Sequence, residues 1–138
     1  MSQTKIRKRA VVIEDVPDLL KRMRILLENE GFEVFGATNG EAGLKLAKDH
    51  KPDLICVDLT LPKLSGFDVC EAVRADANLK TTPLIVISAR STPDTKQQAE
   101  DCGADAYIVK PFKTRELMSE ITRVIEQKKQ VALQGVRP

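Results

Sequence analysis

Four short runs of apolar, mostly β-branched residues punctuate the chain: AVVI (Ala10–Ile13), LICV (Leu54–Val57), LIVI (Leu84–Ile87) and YIV (Tyr107–Val109). None alternates with period two. A run that is apolar at every position needs cover on both sides, as the inner strands of a parallel sheet have. A fifth segment, FEVFGA (Phe32–Ala37), does alternate and so predicts an edge strand. The stretches between them carry apolar residues at helical spacing. Leu19, Leu20, Met23, Leu26 and Leu27 form one stripe, and Gly31 stops it. Asn39 and Ser65 are placed to cap the second and third helices, Thr92-Pro93 to open the fourth over Asp94–Cys102, and Thr114 to cap the fifth. Strand then helix, five times over, predicts an α/β fold: a doubly wound five-stranded parallel sheet, (βα)5, with right-handed crossovers.

The fourth helix stands apart. Its sequence TKQQAEDC offers only Ala99 and Cys102 to a core, so little burial holds it, and it is expected to be the most mobile of the five. The 138 residues suffice for one ordinary domain, with no Pro-, Gly- or Ser-rich linker and no internal repeat. We divide the chain into a basic N-terminal tail (1–7), a domain (8–127) and a C-terminal tail or linker start (128–138). A net charge of +2 is too close to neutral to suggest nucleic-acid binding. The basic arm Lys5, Arg7, Lys8 and Arg9 reads as a solvated tail. No apolar run reaches the roughly 20 residues of a membrane span, and no signal-peptide core follows the basic N-terminus. Cys56, Cys70 and Cys102 show no metal-ligand spacing; the first two read as small core residues, with a reducing cytoplasm as the default location. His50, the only histidine, reads as a solvated helix-end residue.

In a doubly wound sheet, ligands sit beyond the carboxyl ends of the strands. There this chain places Glu14 and Asp15 after the first strand, Asp58 after the third, Ser88 after the fourth and Lys110 after the fifth. Each alone has an ordinary structural reading: a helix-start acid, a turn acceptor, a strand-end hydroxyl, a surface cation. Together they explain one another. If the first and third strands are neighbours, three carboxylates share one site, and like charges about 4 Å apart repel by roughly 4 kcal/mol at an effective dielectric near 20. A raised carboxyl pKa or a bound cation relieves this, and oxygen ligands without His or Cys select a hard cation such as Mg²⁺, with Mn²⁺ as a substitute. Three acids, a lysine, a hydroxyl and Mg²⁺ suit a phosphoryl group. With no glycine-rich phosphate loop in the chain, that group is expected to arrive by covalent transfer to a carboxylate.

These residues carry a resemblance. VVIED with its acidic pair, DLTLPKLSG with its acid-to-Pro-to-Gly spacing, VISA ending the fourth strand and GADAYIVKPF around the lysine occur in the order and spacing of response regulator receiver domains of bacterial two-component systems. The match runs from about Lys8 to about Gln127. It implies the flavodoxin-like strand order 2-1-3-4-5 and a role for each residue. Asp58 would be the phosphoacceptor for a phosphohistidine on a sensor histidine kinase or histidine phosphotransfer protein. Asp15 and Asp58 would bind the metal directly, Glu14 through a water, and Thr60 through its backbone carbonyl. Lys110 would bind the phosphoryl group, and the Lys110–Pro111 bond would be cis. Ser88 and Tyr107 would be the switch pair. The face of the fourth helix, fifth strand and fifth helix would act on a downstream protein or a C-terminal output domain, and is a candidate homodimer surface. Glu14 stands where aspartate is also common and Leu61 where methionine is frequent, while Thr60 and Arg90 flank the site at positions that tune the phosphoryl lifetime. The resemblance implies a regulatory phosphoprotein with only self-phosphotransfer and autodephosphorylation. It leaves open a single-domain regulator or a fragment of a longer one.

Two rivals use similar sheets. Phosphohydrolases with an aspartate nucleophile and Mg²⁺ usually carry a second acid two residues on, where this chain has Thr60, and a cap domain for which it has no spare length. Flavin binding needs a phosphate-cradling loop after the first strand, where Glu14, Asp15 and Pro17 stand instead.

Overall fold

A computed structural model describes residues 7–135, with side chains through 133. The strands are β1 (Lys8–Ile13), β2 (Phe32–Ala37), β3 (Leu54–Val57), β4 (Leu84–Ser88) and β5 (Ala106–Val109). The helices are α1 (Pro17–Asn29), α2 (Gly40–His50), α3 (Gly66–Ala75), α4 (Pro93–Asp101) and α5 (Thr114–Gly135). All strand pairs are parallel and the order is β2-β1-β3-β4-β5, the doubly wound, flavodoxin-like arrangement expected. Most of the residues assigned to the N-terminal tail, Lys5 among them, and the last three of the C-terminal tail lie outside the described residues.

The sheet sorts its side chains by parity. Ala10, Val12, Cys56, Ile85 and Ile87 pack with Met23 and Leu27 of α1 and with Leu117, Ile121 and Val124 of α5. Val11, Ile13, Ile55, Val57, Leu84 and Val86 face the other way, onto Ala47, Val69, Cys70, Val73 and Ala99 of α2, α3 and α4. Burial on both faces is what requires an apolar residue at every inner-strand position. Each fully buried Leu or Ile here contributes about 1.5–3 kcal/mol of transfer free energy. The helix starts follow local chemistry: Asn39, Ser65 and Thr92 accept from the backbone N–H of Ala42, Asp68 and Thr95.

Four local expectations are adjusted. β5 is apolar in sequence but half-buried, because it forms the edge opposite β2. Thr114 is the first helical residue of α5 and not its cap: Leu117 N donates to the Lys113 carbonyl at 3.1 Å, which puts Lys113 in the capping place. His50 does end α2, but its ring stacks on Phe35 at 3.8 Å between centroids, so it is half-buried. α5 continues past Gln127 to Gly135, so the segment set apart as a tail begins as helix. In α4, Ala99 is the one buried residue, against four in α3.

Candidate functional site

Parallel pairing assembles the site. β1 and β3 are adjacent with Ile13 opposite Val57, so the next residues along, Glu14 and Asp58, emerge side by side. The Asp58 N–H donates to the Ile13 carbonyl at 3.0 Å and holds that register beyond the strand ends. Glu14, Asp15 and Asp58 each offer a carboxylate oxygen, and all three atoms lie within 4.8 Å of one another. Glu14 and Asp58 are buried, at 1% and 6% exposure, whereas Asp15 is exposed.

Lys110 crosses to them from the far edge of the sheet. Its Nζ lies 2.8 Å from Glu14 Oε1 and 2.8 Å from Asp58 Oδ2. The remaining oxygens are held by backbone: Val16 N–H donates to Glu14 Oε2 at 3.2 Å, and Thr60 N–H to Asp58 Oδ1 at 3.1 Å. Among the described residues no buried side-chain nitrogen or oxygen lacks a partner. Three carboxylates against one ammonium still leave two negative charges uncompensated. Burial, then the charge of Asp58, raises the pKa of the Glu14 carboxyl, against the opposing hydrogen bond from Lys110. For Lys110, burial alone would lower the pKa, but the hydrogen bonds to Asp58 and Glu14 outweigh it and hold the ammonium above its ordinary value. An oxygen-only cradle that is two charges short fits a hard divalent cation.

The loop after Asp58 turns sharply because Gly66 lets it. The Gly66 N–H donates to the Leu59 carbonyl at 3.0 Å, and a Cβ on Gly66 would collide with the Asp58 carbonyl. That close return brings the N-terminus of α3 against the acid. The Lys110–Pro111 peptide is cis, as the resemblance implied.

Ser88, buried at the tip of β4, accepts from the Arg90 N–H at 3.1 Å through Oγ, and its carbonyl accepts from the Lys110 N–H at 2.8 Å. The Tyr107 hydroxyl donates to the Arg90 carbonyl at 2.8 Å. Arg90 thus links Ser88 to Tyr107 through its backbone alone. Nothing in the sequence marks such a link, because a backbone amide has no residue signature.

A sequence profile described as the response regulator receiver domain matches residues 10–122. The chain belongs to that family. Among curated relatives it is 38% identical over 117 residues to the transcriptional regulatory protein KdpE of Mycobacterium tuberculosis, covering 85% of this chain and 50% of that protein. It is 34% identical over 116 residues to the DNA-binding response regulator MtrA of Mycolicibacterium smegmatis, covering 84% and 50%. The chain therefore spans about half the length of the curated relatives it matches. Among solved structures it is similar to the chemotaxis protein CheY4 of Vibrio cholerae (TM-score 0.82, 28% identity, 86% of this chain and 99% of that one). It is also similar to the receiver domain of the sensor histidine kinase PA1611 of Pseudomonas aeruginosa, solved with a magnesium ion in its active-site cleft (TM-score 0.81, 26% identity, 88% and 99%). As a receiver domain, the chain takes its place beside response regulators. Among the described residues, no helix is long and apolar enough to cross a membrane.

Proposed function

We propose that this receiver domain, residues 8–127, is a switch driven by reversible phosphorylation of Asp58. The observation that carries the reading is the position of Lys110 Nζ, at 2.8 Å from both buried acids. A carboxylate oxygen of Asp58 attacks the phosphorus of a phosphohistidine; the P–N bond breaks as the P–O bond forms, and the imidazole leaves with its electron pair. The buried, pre-paired carboxylate needs little reorganisation to react. Lys110 then follows the charge, turning from the carboxylate to the phosphoryl oxygens. Asp15 and Asp58 would hold Mg²⁺ or Mn²⁺ directly, with Glu14 acting through water and the Thr60 carbonyl completing the protein ligands. When bound, the ion supplies charge neutralisation for the acids and for the incoming phosphoryl oxygens.

The added group carries close to two negative charges. It draws the Ser88 hydroxyl toward itself, which removes the acceptor of the Arg90 N–H and shifts the carbonyl on which Tyr107 rests. α4 follows, since it is held by little burial. The α4-β5-α5 face is the output surface. The phosphoryl donor is a sensor histidine kinase or a histidine phosphotransfer protein in the cytoplasm. The receiver of the signal is a downstream protein or a C-terminal output domain, and self-association through the same face is a further mode.

Intact-mass measurement after incubation with acetyl phosphate and Mg²⁺ tests the reading. The expected result is one added phosphoryl group, released by hydroxylamine and absent from Asp58→Asn. No adduct on the unsubstituted chain, or the same adduct on Asp58→Asn, overturns it.

A further inference from the structure

At the end of the sheet opposite Asp58, a second polar cluster joins four elements through one carboxylate. Asp105, immediately before β5, accepts from Arg74 Nη2 at 2.8 Å and from the Leu84 N–H at 2.9 Å through Oδ2. Its other oxygen, Oδ1, pairs with Lys128 Nζ of α5 at 3.1 Å. The Arg74 guanidinium is committed elsewhere as well, donating to the carbonyls of Gly103 (2.9 Å), Lys80 (3.1 Å) and Thr82 (2.8 Å). Asp105 is thereby clamped to the turn between α4 and β5 and to the start of β4. Lys128 is the component that reaches it from outside.

Lys128 stands where α5 leaves the body of the domain. Residues 129–133 are exposed, including Val131 at 63% and Leu133 at 71%. An open groove of about 430 Å³, lined by Pro52, Thr82, Pro83, Ile125, Val131 and Ala132 among others, separates this extension from the sheet's lower edge. Most helical stability in proteins comes from packing an apolar face, and these exposed residues have little of it. Among the described residues, the Lys128–Asp105 ion pair ties the start of this extension to the far side of the groove.

We infer that Lys128–Asp105 is the joint through which rearrangement of α4 and β5 reaches the C-terminal extension of α5. The inference deepens the proposed switch and rests on it. Tyr107 of β5, whose hydroxyl is tied to Arg90, lies two residues after Asp105, and Gly103 in the turn after α4 is bound to the same arginine as Asp105. A shift of α4 changes the geometry around Asp105, and the extension loosens or tightens with it. The C-terminal end of α5 then reads the state of a site at the other end of the sheet.

Hydrogen exchange on the full chain with Mg²⁺, with and without beryllofluoride, tests this against Lys128→Met, which keeps the stem and loses the charge, and Lys128→Arg, which keeps the pair. In the unsubstituted chain beryllofluoride is expected to change exchange both at residues 88–107 and at 129–135. In Lys128→Met, residues 129–135 exchange roughly two- to fivefold faster at rest, the scale of a partly exposed ion pair. Their response to beryllofluoride disappears, while that of residues 88–107 stays; Lys128→Arg restores it. A full response at 129–135 in Lys128→Met, or a response at 88–107 that never reaches 129–135 in the unsubstituted chain, overturns the joint and leaves the switch standing. No response at 88–107 in the unsubstituted chain overturns both.

Discussion

Lys110 Nζ sits at the same distance, 2.8 Å, from Glu14 Oε1 and Asp58 Oδ2, although the lysine leaves β5 at one edge of the sheet and Glu14 leaves β1, with β4 and β3 between them. One ammonium therefore serves two buried acids. Removing a shared partner costs more than the pair itself is worth, because the groups left behind are desolvated and unpaired. Lys110→Ala should lose about 1–3 kcal/mol of metal-free stability. It should also retain Mg²⁺ binding, with more of that loss recovered by the ion than in the unsubstituted chain, and lose most signalling. Urea melts with and without Mg²⁺ check the first part; equal stability of the two metal-free proteins would refute it.

The raised pKa of Glu14 has a defined consequence for stability. The folded state holds that proton more tightly than the unfolded chain, whose ordinary value is 4.5. Its contribution is fully present below that value and is lost as pH rises through the raised one. In metal-free protein, Glu14→Gln should therefore be the more stable form at neutral pH, and the advantage should shrink on acidification. Subtracting the two stability curves isolates the effect from other acids; a flat difference would contradict it.

Burial pushes the Cys56 and Cys70 thiols up to about 12. Only the thiolate reacts readily. Ellman's reagent at pH 8 should find at most the half-buried Cys102 in native protein and all three thiols in urea. As pH climbs above 9.0, the unfolded chain ionises these thiols before the folded one does, so their contribution to stability declines on the alkaline side.

Gly66→Ala places a methyl group against the Asp58 carbonyl. Either α3 backs away or the acid-bearing loop moves, at a cost of about 1–3 kcal/mol. Phosphorylation by acetyl phosphate should slow as well, since the carboxylate no longer lies in line with Lys110. Unchanged stability and rate would show that the close return of the loop is dispensable.

Beryllofluoride with Mg²⁺ should shift the NMR signals of residues 88–107 far more than those of residues 39–52. The first segment contains Ser88, Arg90 and Tyr107, which are joined by hydrogen bonds, and the thinly buried α4. The second contains α2, which buries Gly40, Gly43 and Ala47. Comparable shifts in both would argue against a route through Ser88.

Much of this was legible because it is local. An inner strand must be apolar throughout, so Leu54–Val57 and Leu84–Ile87 announce themselves, and a polar residue straight after such a run marks the strand tip. Caps are local too, which is why Asn39, Ser65 and Thr92 could be assigned from neighbours alone. β5 was harder: an edge strand with one apolar run looks like a central strand until its missing neighbour is known. His50 looked solvated because nothing near it in sequence foretells the ring of Phe35, on a strand that precedes its helix. Arg74 and Asp105 are 31 residues apart, so no local pattern marks their pairing either.

By itself the sequence determined the alternation of strands and helices, the acids, hydroxyl and lysine at the strand tips, and the family. Each of these is written in runs of neighbouring residues, where periodicity and hydrogen-bonding chemistry act directly. Only the tertiary structure decided that Lys110 bridges Glu14 and Asp58, that the Arg90 backbone joins Ser88 to Tyr107, and that Lys128 fastens the end of α5 to Asp105. Those contacts depend on which strands lie side by side and how far a helix runs. Such placements are set by the packing of two hydrophobic layers and not by any segment alone.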